Sequence, residues 1–147
     1  MAELQEANAV VEHAKTNSEF GPRFSSTGLD WNDMVLCTIT DASFANVEVE
    51  LKSEREPLRS QQGLFHVLAS PDVVNGNRFT VHPIGWSSTS IRRVCRATMQ
   101  TETYAMTDGV ESGLRLRGAI VDAMGLLDMR DWEKSSGKHL RHVWLTD

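Results

Sequence analysis

The amino-acid sequence predicts an α/β domain built on a mixed β-sheet. Three runs rich in β-forming residues, at 34–40, 63–69 and 78–86, follow one another with no long helical pattern between them. Apolar residues then recur at helical spacing over 98–127, and a last β-forming run occupies 142–145. Sequential strands favour an antiparallel meander, whereas a strand that follows a long helix favours a parallel neighbour. The expected sheet is therefore a three-strand antiparallel meander, joined by the long helix to a parallel fourth strand.

The other segments are assigned from composition and apolar spacing. Residues 3–16 carry a helical pattern, and the polar segment at 17–27, with its glycine and proline, is typical of a linker. Residues 47–59 are highly charged, so we expect an exposed strand edge or a long loop. Pro83 lies inside the third strand and predicts an edge position or a bulge, because proline has no N–H to donate. Residues 128–138 predict a short helix or a loop.

The composition is that of an ordinary folded domain. The chain of 147 residues is 40% hydrophobic and 24% charged, which suits one domain with a core. Its net charge of −5 argues against a general nucleic-acid coat protein, although it is compatible with an enzyme that has a local basic patch. No run approaches the roughly 20 apolar residues that span a bilayer. Cys37 and Cys95 show no metal-ligand spacing, so we expect reduced, packed cysteines in an intracellular protein, cytoplasmic or nuclear, without a membrane partner.

Three acidic residues are predicted to meet at one edge of this sheet. Residues of equal parity share a face of a strand, so Asp41 ends the first strand on the row of Val35 and Cys37. Asp147 ends the last strand in the same way. We expect the long helix to cover this row. Parallel first and last strands bring Asp41 and Asp147 to the same edge, where the helix that carries Glu102 begins.

One stripe of residues at helical spacing on the long helix contains both Glu102 and two glycines, and it predicts that Glu102 faces the sheet. Two glycines in the stripe indicate close approach, because glycine inside a helix costs roughly 0.5–1 kcal/mol relative to alanine. Clustered carboxylates repel unless a cation joins them, and Mg²⁺ prefers oxygen ligands. The pattern therefore indicates a magnesium site, the alternative being three acids that each face water. The stripe contains Glu102, Ala105, Gly109, Gly113, Leu116 and Ile120.

Five short motifs follow one another along the chain. They are T-D-A-S-F-A at 40–45, R-S-Q-Q-G-L-F at 59–65, I-G-W-S-S at 84–88, a basic turn leading into E-T-Y-A at 91–105, and V-W-L-T-D at 143–147. In order and approximate spacing, these motifs resemble the ribonuclease H domain of copia-type retrotransposon polyproteins. The resemblance covers residues 34 to 147 and implies a ribonuclease H-like fold.

The resemblance also implies an activity. Such domains cut the RNA strand of an RNA–DNA hybrid, using two Mg²⁺ ions held by four acids. Asp41, Glu102 and Asp147 match the first three acids. Asp41 would bridge both ions, Glu102 would help to hold one of them near the scissile phosphate, and Asp147 would complete the ligands of the other.

The resemblance further implies how the chain is organised. Residues 1–33 correspond to the connecting segment with its N-terminal helix, and 34–147 to a domain truncated after the fourth strand, with the fifth strand and the fourth acid missing. The remainder of a reverse transcriptase polyprotein is then an expected partner. The alternative is a non-catalytic transposon remnant, or a domain reused for binding, that lacks the fourth acid.

Basic and hydroxyl side chains lie just before the long helix. Arg92, Arg93 and Arg96, together with Ser88, would contact the phosphates or sugars of the hybrid. The alternative is a solvated turn that leads into the helix. The histidines show no ligand pattern, and those inside strands are expected to be packed or to lie at an edge.

Overall fold

The computed structural model describes residues 2–19, 21, 24, 28–47, 59–78 and 80–146. In chain order the helices and strands are α1 (Ala2–Thr16), β1 (Val35–Val47), β2 (Arg59–Ala69), β3 (Val81–Ser90), α2 (Thr98–Ala123), α3 (Trp132–His139) and β4 (Arg141–Leu145). Two 3₁₀ turns complete the fold, at Pro71–Asn75 and Met129–Asp131.

The four strands form one mixed sheet in the order β3-β2-β1-β4. β1 pairs with β2, and β2 with β3, in antiparallel fashion, whereas β4 lies parallel to β1. The predicted meander and the predicted parallel fourth strand are therefore confirmed. The cause is the connection between β3 and β4, since α2 and α3 return the chain to the start of the sheet and allow β4 to run in the same direction as β1.

Two strands are longer than the hydrophobic pattern indicates. β1 continues to Val47, so that Asp41 lies inside the strand opposite Gly63 instead of ending it. β3 ends at Ser90 and includes Ser88, where a turn was an open alternative. Backbone hydrogen bonds to β2 hold these polar stretches in the ladder, and such bonds do not depend on the polarity of the side chain.

Pro83 occupies the kind of position that its chemistry requires. β3 is an edge strand, and the register of its pairing with β2 shifts beside Pro83, between the pairs His66–Gly85 and Val67–Pro83. Both parts of the prediction, an edge strand and a bulge, are confirmed.

The helix α2 covers the even-numbered row of β1. A Cβ atom added to Gly109 would meet the side chains of Thr40 and Thr38, and one added to Gly113 would meet Thr38 and His142. The two glycines therefore allow α2 to lie almost directly on the sheet. The apolar core of this layer lies further along the helix and contains Met34, Leu36, Leu68, Val121 and Leu140.

The expectation that α2 covers the row of Val35, Cys37 and Asp41 is wrong. That row faces the other side of the sheet, where Val35 and Cys37 pack in a second core with Val67, Ala69 and Val73. Strand parity shows which residues share a face, but it does not show which face a helix will cover. Here the deciding factor is the close contact between small residues, two glycines of α2 against two threonines of β1.

The cysteines and the N-terminal helix agree in part with expectation. Both cysteines are free thiols, and burial raises the pKa of the Cys37 thiol, whereas Cys95 is half-buried. The apolar side chains of α1, such as Leu4 and Val10, are largely exposed. Most of the predicted segments at 17–27 and 47–59 lie outside the described residues. Among the helices that the structure describes, none is long and apolar enough to cross a bilayer.

Candidate functional site

Asp41 lies in a shallow groove on the face of the sheet that α2 leaves uncovered. The side chain is exposed, and the groove has a volume of about 230 Å³. Its other walls include Ser43, Gln61 and Ser88. The hydroxyl of Ser88 accepts a hydrogen bond of 2.7 Å from Nε2 of Gln61. The structure thus brings together two of the predicted site residues, Asp41 and Ser88.

Glu102 belongs to the layer that α2 forms, on the opposite side of the sheet from Asp41. It follows Thr101, which is fully buried under the first turns of α2, and its own side chain is half-buried with Oε2 shielded from solvent. Because Asp41 points away from the layer that α2 forms, any site shared by the two carboxylates has to lie at the rim of the sheet, around the end of the strands.

The third predicted acid, Asp147, lies outside the described residues. The last described pair between the parallel strands is Ile39 with Leu145, so the C-terminal ends of β1 and β4 point to the same edge. Among the described residues, no three histidine, cysteine, aspartate or glutamate side chains are arranged to hold a metal ion. Asp41 and Glu102 supply the oxygen donors that Mg²⁺ prefers, but a complete set of ligands is not formed within the described residues.

The predicted arginines lie in the turn between β3 and α2, and all three are exposed. The guanidinium carbon of Arg93 lies 5.5 Å from the centre of the Tyr104 ring, which is within cation–π range. The backbone N–H of Arg96 donates to the side-chain oxygen of Gln100 at 2.9 Å, which anchors the turn to the first part of the helix. Arg92 and Arg93 border a cavity of about 500 Å³ between this turn and α2.

A buried polar network under α2 was not predicted. Oγ1 of Thr38 lies 2.9 Å from Nδ1 of His66 and 2.7 Å from Nε2 of His142. Nε2 of His66 lies 3.1 Å from Oγ of Ser112, and Nε1 of Trp144 donates to Nδ1 of His142 at 3.1 Å. The sequence signal for this polar layer was the pair Thr38 and Thr40, which occupies the middle of β1 where larger apolar residues are usual. The expectation that His66 is packed is confirmed, since it is only 5% exposed.

The indole bond assigns the donor at a neutral His142, and one tautomer of His66 then continues the same direction. Indole N–H can only donate, so Nδ1 of His142 is the acceptor and its Nε2 carries the proton. That N–H donates to Thr38, whose hydroxyl can then donate to Nδ1 of His66 when the His66 proton is on Nε2. Nε2–H of His66 in turn donates to Ser112. With this tautomer, the hydrogen bonds connect β4 through β1 and β2 to α2 in one direction.

The bond from the indole requires His142 to be neutral, because its Nδ1 has to accept. Burial is the main cause that lowers the pKa of His142 from 6.5 to about 4, and the nearby positive charge of Arg117 and the ring of His66 add to it. Burial also lowers the pKa of His66. A protonated His142 would present N–H groups to both Trp144 and Thr38, so it would lose the bond from the indole.

The indole bond yields a direct test. We expect Trp144→Phe to raise the pKa of His142 from about 4 toward its ordinary value of 6.5, because Nδ1 would no longer accept a hydrogen bond that favours the neutral ring. NMR titration of the imidazole resonances measures this change. Trp86→Phe, at an exposed position on β3, is the matched control. An unchanged pKa in the Trp144 variant would show that the indole does not determine the protonation of His142.

Comparison of the chain with protein-family models, with curated proteins and with solved structures finds no match. The class of the protein is therefore defined by its own fold, which is an α/β architecture with a mixed four-strand sheet, three strands antiparallel and one parallel. The particular activity is inferred from the residues at the edge of that sheet.

Proposed function

We propose that this chain is a retroelement-derived ribonuclease H domain that hydrolyses the RNA strand of RNA–DNA hybrids. The supporting observation is the strand order β3-β2-β1-β4, in which a parallel β4 lies beside β1 after a long helix. This order agrees with the architecture that the sequence resemblance implies. It also directs the ends of β1 and β4 to a common edge, as a site shared by both strands requires.

The proposed catalytic acids are Asp41, Glu102 and Asp147. Asp41 is supplied by β1 and Glu102 by the first turns of α2, and the proposal requires Asp147 to lie at the same edge. Two Mg²⁺ ions held by these carboxylates would supply activation of the attacking water and stabilisation of the leaving oxygen. Within the protein, burial of one Glu102 oxygen restricts the orientation of that carboxylate, whereas the exposed Asp41 remains open to the substrate.

The hybrid would lie across the uncovered face and the turn before α2. Ser88 shares the groove of Asp41 and can donate its hydroxyl proton to a phosphate or sugar oxygen, since it only accepts from Gln61. Arg92, Arg93 and Arg96 are exposed and would contact phosphates, with an affinity that falls as salt rises. This local basic turn would allow an acidic protein to bind a polyanion. The remainder of a reverse transcriptase polyprotein is the proposed protein partner.

Cleavage of a labelled RNA–DNA hybrid in the presence of Mg²⁺ tests the proposal. We expect the intact chain to cut the RNA strand, and we expect Asp41→Asn and Glu102→Gln each to lower the rate at least about 100-fold. Loss of an outer-shell group at a metal site already costs about 10–100-fold, so loss of a direct ligand should cost more. Asp122→Asn, at an exposed position in the second half of α2, is the matched control and should keep the activity.

Two results would contradict the assignment. Absence of cleavage by a correctly folded chain would exclude hydrolysis by this chain. Cleavage that survives both Asp41→Asn and Glu102→Gln would originate from a contaminating nuclease.

A second candidate is a non-catalytic binding domain. The observation that favours it is the direction of Asp41, which faces away from the layer that contains Glu102. Under this alternative the hybrid would bind with the salt dependence expected of the basic turn, and Asp41→Asn would leave its affinity unchanged or raise it, because a negative charge near the phosphates would be removed. Measurement of hybrid binding beside cleavage distinguishes the two candidates.

A further inference from the structure

A polar cavity lies between the end of β3, with the turn that follows it, and α2. Its volume of about 500 Å³ is within the range of small-molecule sites. Its wall carries the cations Arg92 and Arg93, the carboxylates of Asp108 and Glu111, and the amide of Gln62. The cavity therefore offers both positive charge and hydrogen-bond acceptors.

Gln62 has an acceptor atom that the described protein leaves unused. The residue is only 7% exposed, and its Nε2 donates to Oδ2 of Asp108 at 2.7 Å. Because a carboxylate can only accept, this bond determines the orientation of the amide and assigns the other atom as the acceptor Oε1. Oε1 is buried and has no hydrogen-bond partner among the described residues. Buried polar atoms are almost always paired, so an unpaired acceptor in a residue of a cavity wall can take a donor from a ligand or from water.

The cations of the same cavity are available to an anion. Arg92 is exposed and forms no ion pair with any residue that the structure describes, and Arg93 contacts the Tyr104 ring and not a carboxylate. Guanidinium groups bind phosphate oxygens through paired N–H donors. A ligand that satisfies both the guanidinium groups and Oε1 of Gln62 thus carries a phosphate and a hydroxyl group that donates.

We propose that this cavity binds a phosphorylated ribose unit, with its phosphate at Arg92 and Arg93 and a sugar hydroxyl that donates to Oε1 of Gln62. The unit can belong to a free nucleotide or to a nucleic acid. The inference rests on the proposed function only in that the same arginines bind phosphate. It adds Gln62 as a residue that accepts a hydrogen bond from a sugar hydroxyl. Gln62 is thereby a specificity-determining residue.

Binding of ribose 5-phosphate and of inorganic phosphate to the intact chain, without Mg²⁺, tests the inference. We expect Gln62→Leu to weaken ribose 5-phosphate binding about three- to tenfold and to leave phosphate binding unchanged, as expected for loss of one hydrogen bond. Arg92→Gln should weaken both ligands about tenfold or more. Gln5→Leu, on the exposed helix α1, is the matched control and should change neither. Because no cleavage is measured, failure here is distinguishable from failure of the hydrolase proposal.

The source of the unit is identified by comparing AMP with a short RNA–DNA hybrid. Weaker hybrid binding by Gln62→Leu indicates nucleic acid, whereas an effect on AMP alone indicates a free nucleotide; either result supports the site. Equal effects of Gln62→Leu on ribose 5-phosphate and phosphate would overturn the inference, as would absence of ribose 5-phosphate binding at about 10 mM. If Gln62→Leu does not fold, the exposed Arg92→Gln variant tests the inference instead. Unchanged binding of ribose 5-phosphate and of phosphate by that variant would also overturn the inference.

Discussion

Gly113→Ala is expected to lower the free energy of unfolding by about 2–3 kcal/mol. The added Cβ would meet the imidazole of His142 and would lie 2.7 Å from Oγ1 of Thr38. Both partners belong to the buried network, so neither can move without loss of its hydrogen bonds, each worth about 1 kcal/mol. Overpacking itself costs about 1–3 kcal/mol, and the better helix propensity of alanine returns at most about 1 kcal/mol.

Urea denaturation followed by circular dichroism measures this loss. Gly137→Ala in α3 is the matched control, because its Cβ would lie 3.5 Å from the flexible guanidinium of Arg117, which is ordinary contact. The control should be neutral or stabilised by up to about 1 kcal/mol. Gly109→Ala, whose Cβ would meet Thr40 and Thr38, should behave as Gly113→Ala does. If both helix variants match the control, α2 does not lie on the sheet as closely as the structure describes.

Stability is expected to fall by about 2 kcal/mol between pH 6.5 and pH 4 through His142 alone, because solvent around this half-buried ring screens part of the full linkage effect. The pKa of His142 in the folded protein is lowered from 6.5 to about 4, so between these values the unfolded chain binds a proton that the folded chain does not. The stabilisation is therefore complete above the unfolded value and is lost as the pH falls through the folded value. Each tenfold change in proton concentration is worth about 1.4 kcal/mol in this range. His66, whose pKa is lowered by burial, adds to the loss in the same direction.

The contribution of His142 is isolated by comparing unfolding curves of the wild type and His142→Phe across this pH range. The variant should be less stable at pH 8, because Thr38 loses a hydrogen-bond partner, and the two stabilities should converge as the pH approaches 4. Thr38→Ser retains the hydroxyl and should retain the wild-type pH dependence. Parallel curves for the wild type and His142→Phe would show that His142 titrates alike in the folded and unfolded chains.

Much of the sheet could be predicted from local sequence, since the β-forming runs and the single long helical segment restrict the possible connections. The ends of β1 and β3 could not be predicted, because Asp41 and Ser88 are held in their strands by ladder bonds to β2. The groove shared by these two residues is likewise a product of pairing.

The buried network shows the same division. His66 and His142 are separated by 76 positions in the chain, and their common partner Thr38 becomes apparent only when three strands are side by side. The unpaired acceptor of Gln62 could not be predicted from the sequence either, because whether a side-chain atom is buried without a partner depends on the residues that surround it in the folded protein.

The α/β class, the meander, the parallel fourth strand and the edge position of Pro83 can be predicted from the amino-acid order, because they follow from period, chain connectivity and the chemistry of single residues. Which face of β1 lies under α2 depends instead on tertiary packing. Both rows of the strand are rich in residues that can be buried, so their hydrophobicity does not distinguish them. The choice depends on contact between Gly109 and Gly113 of α2 and Thr38 and Thr40 of β1, and such steric fit exists only between elements that have already come together.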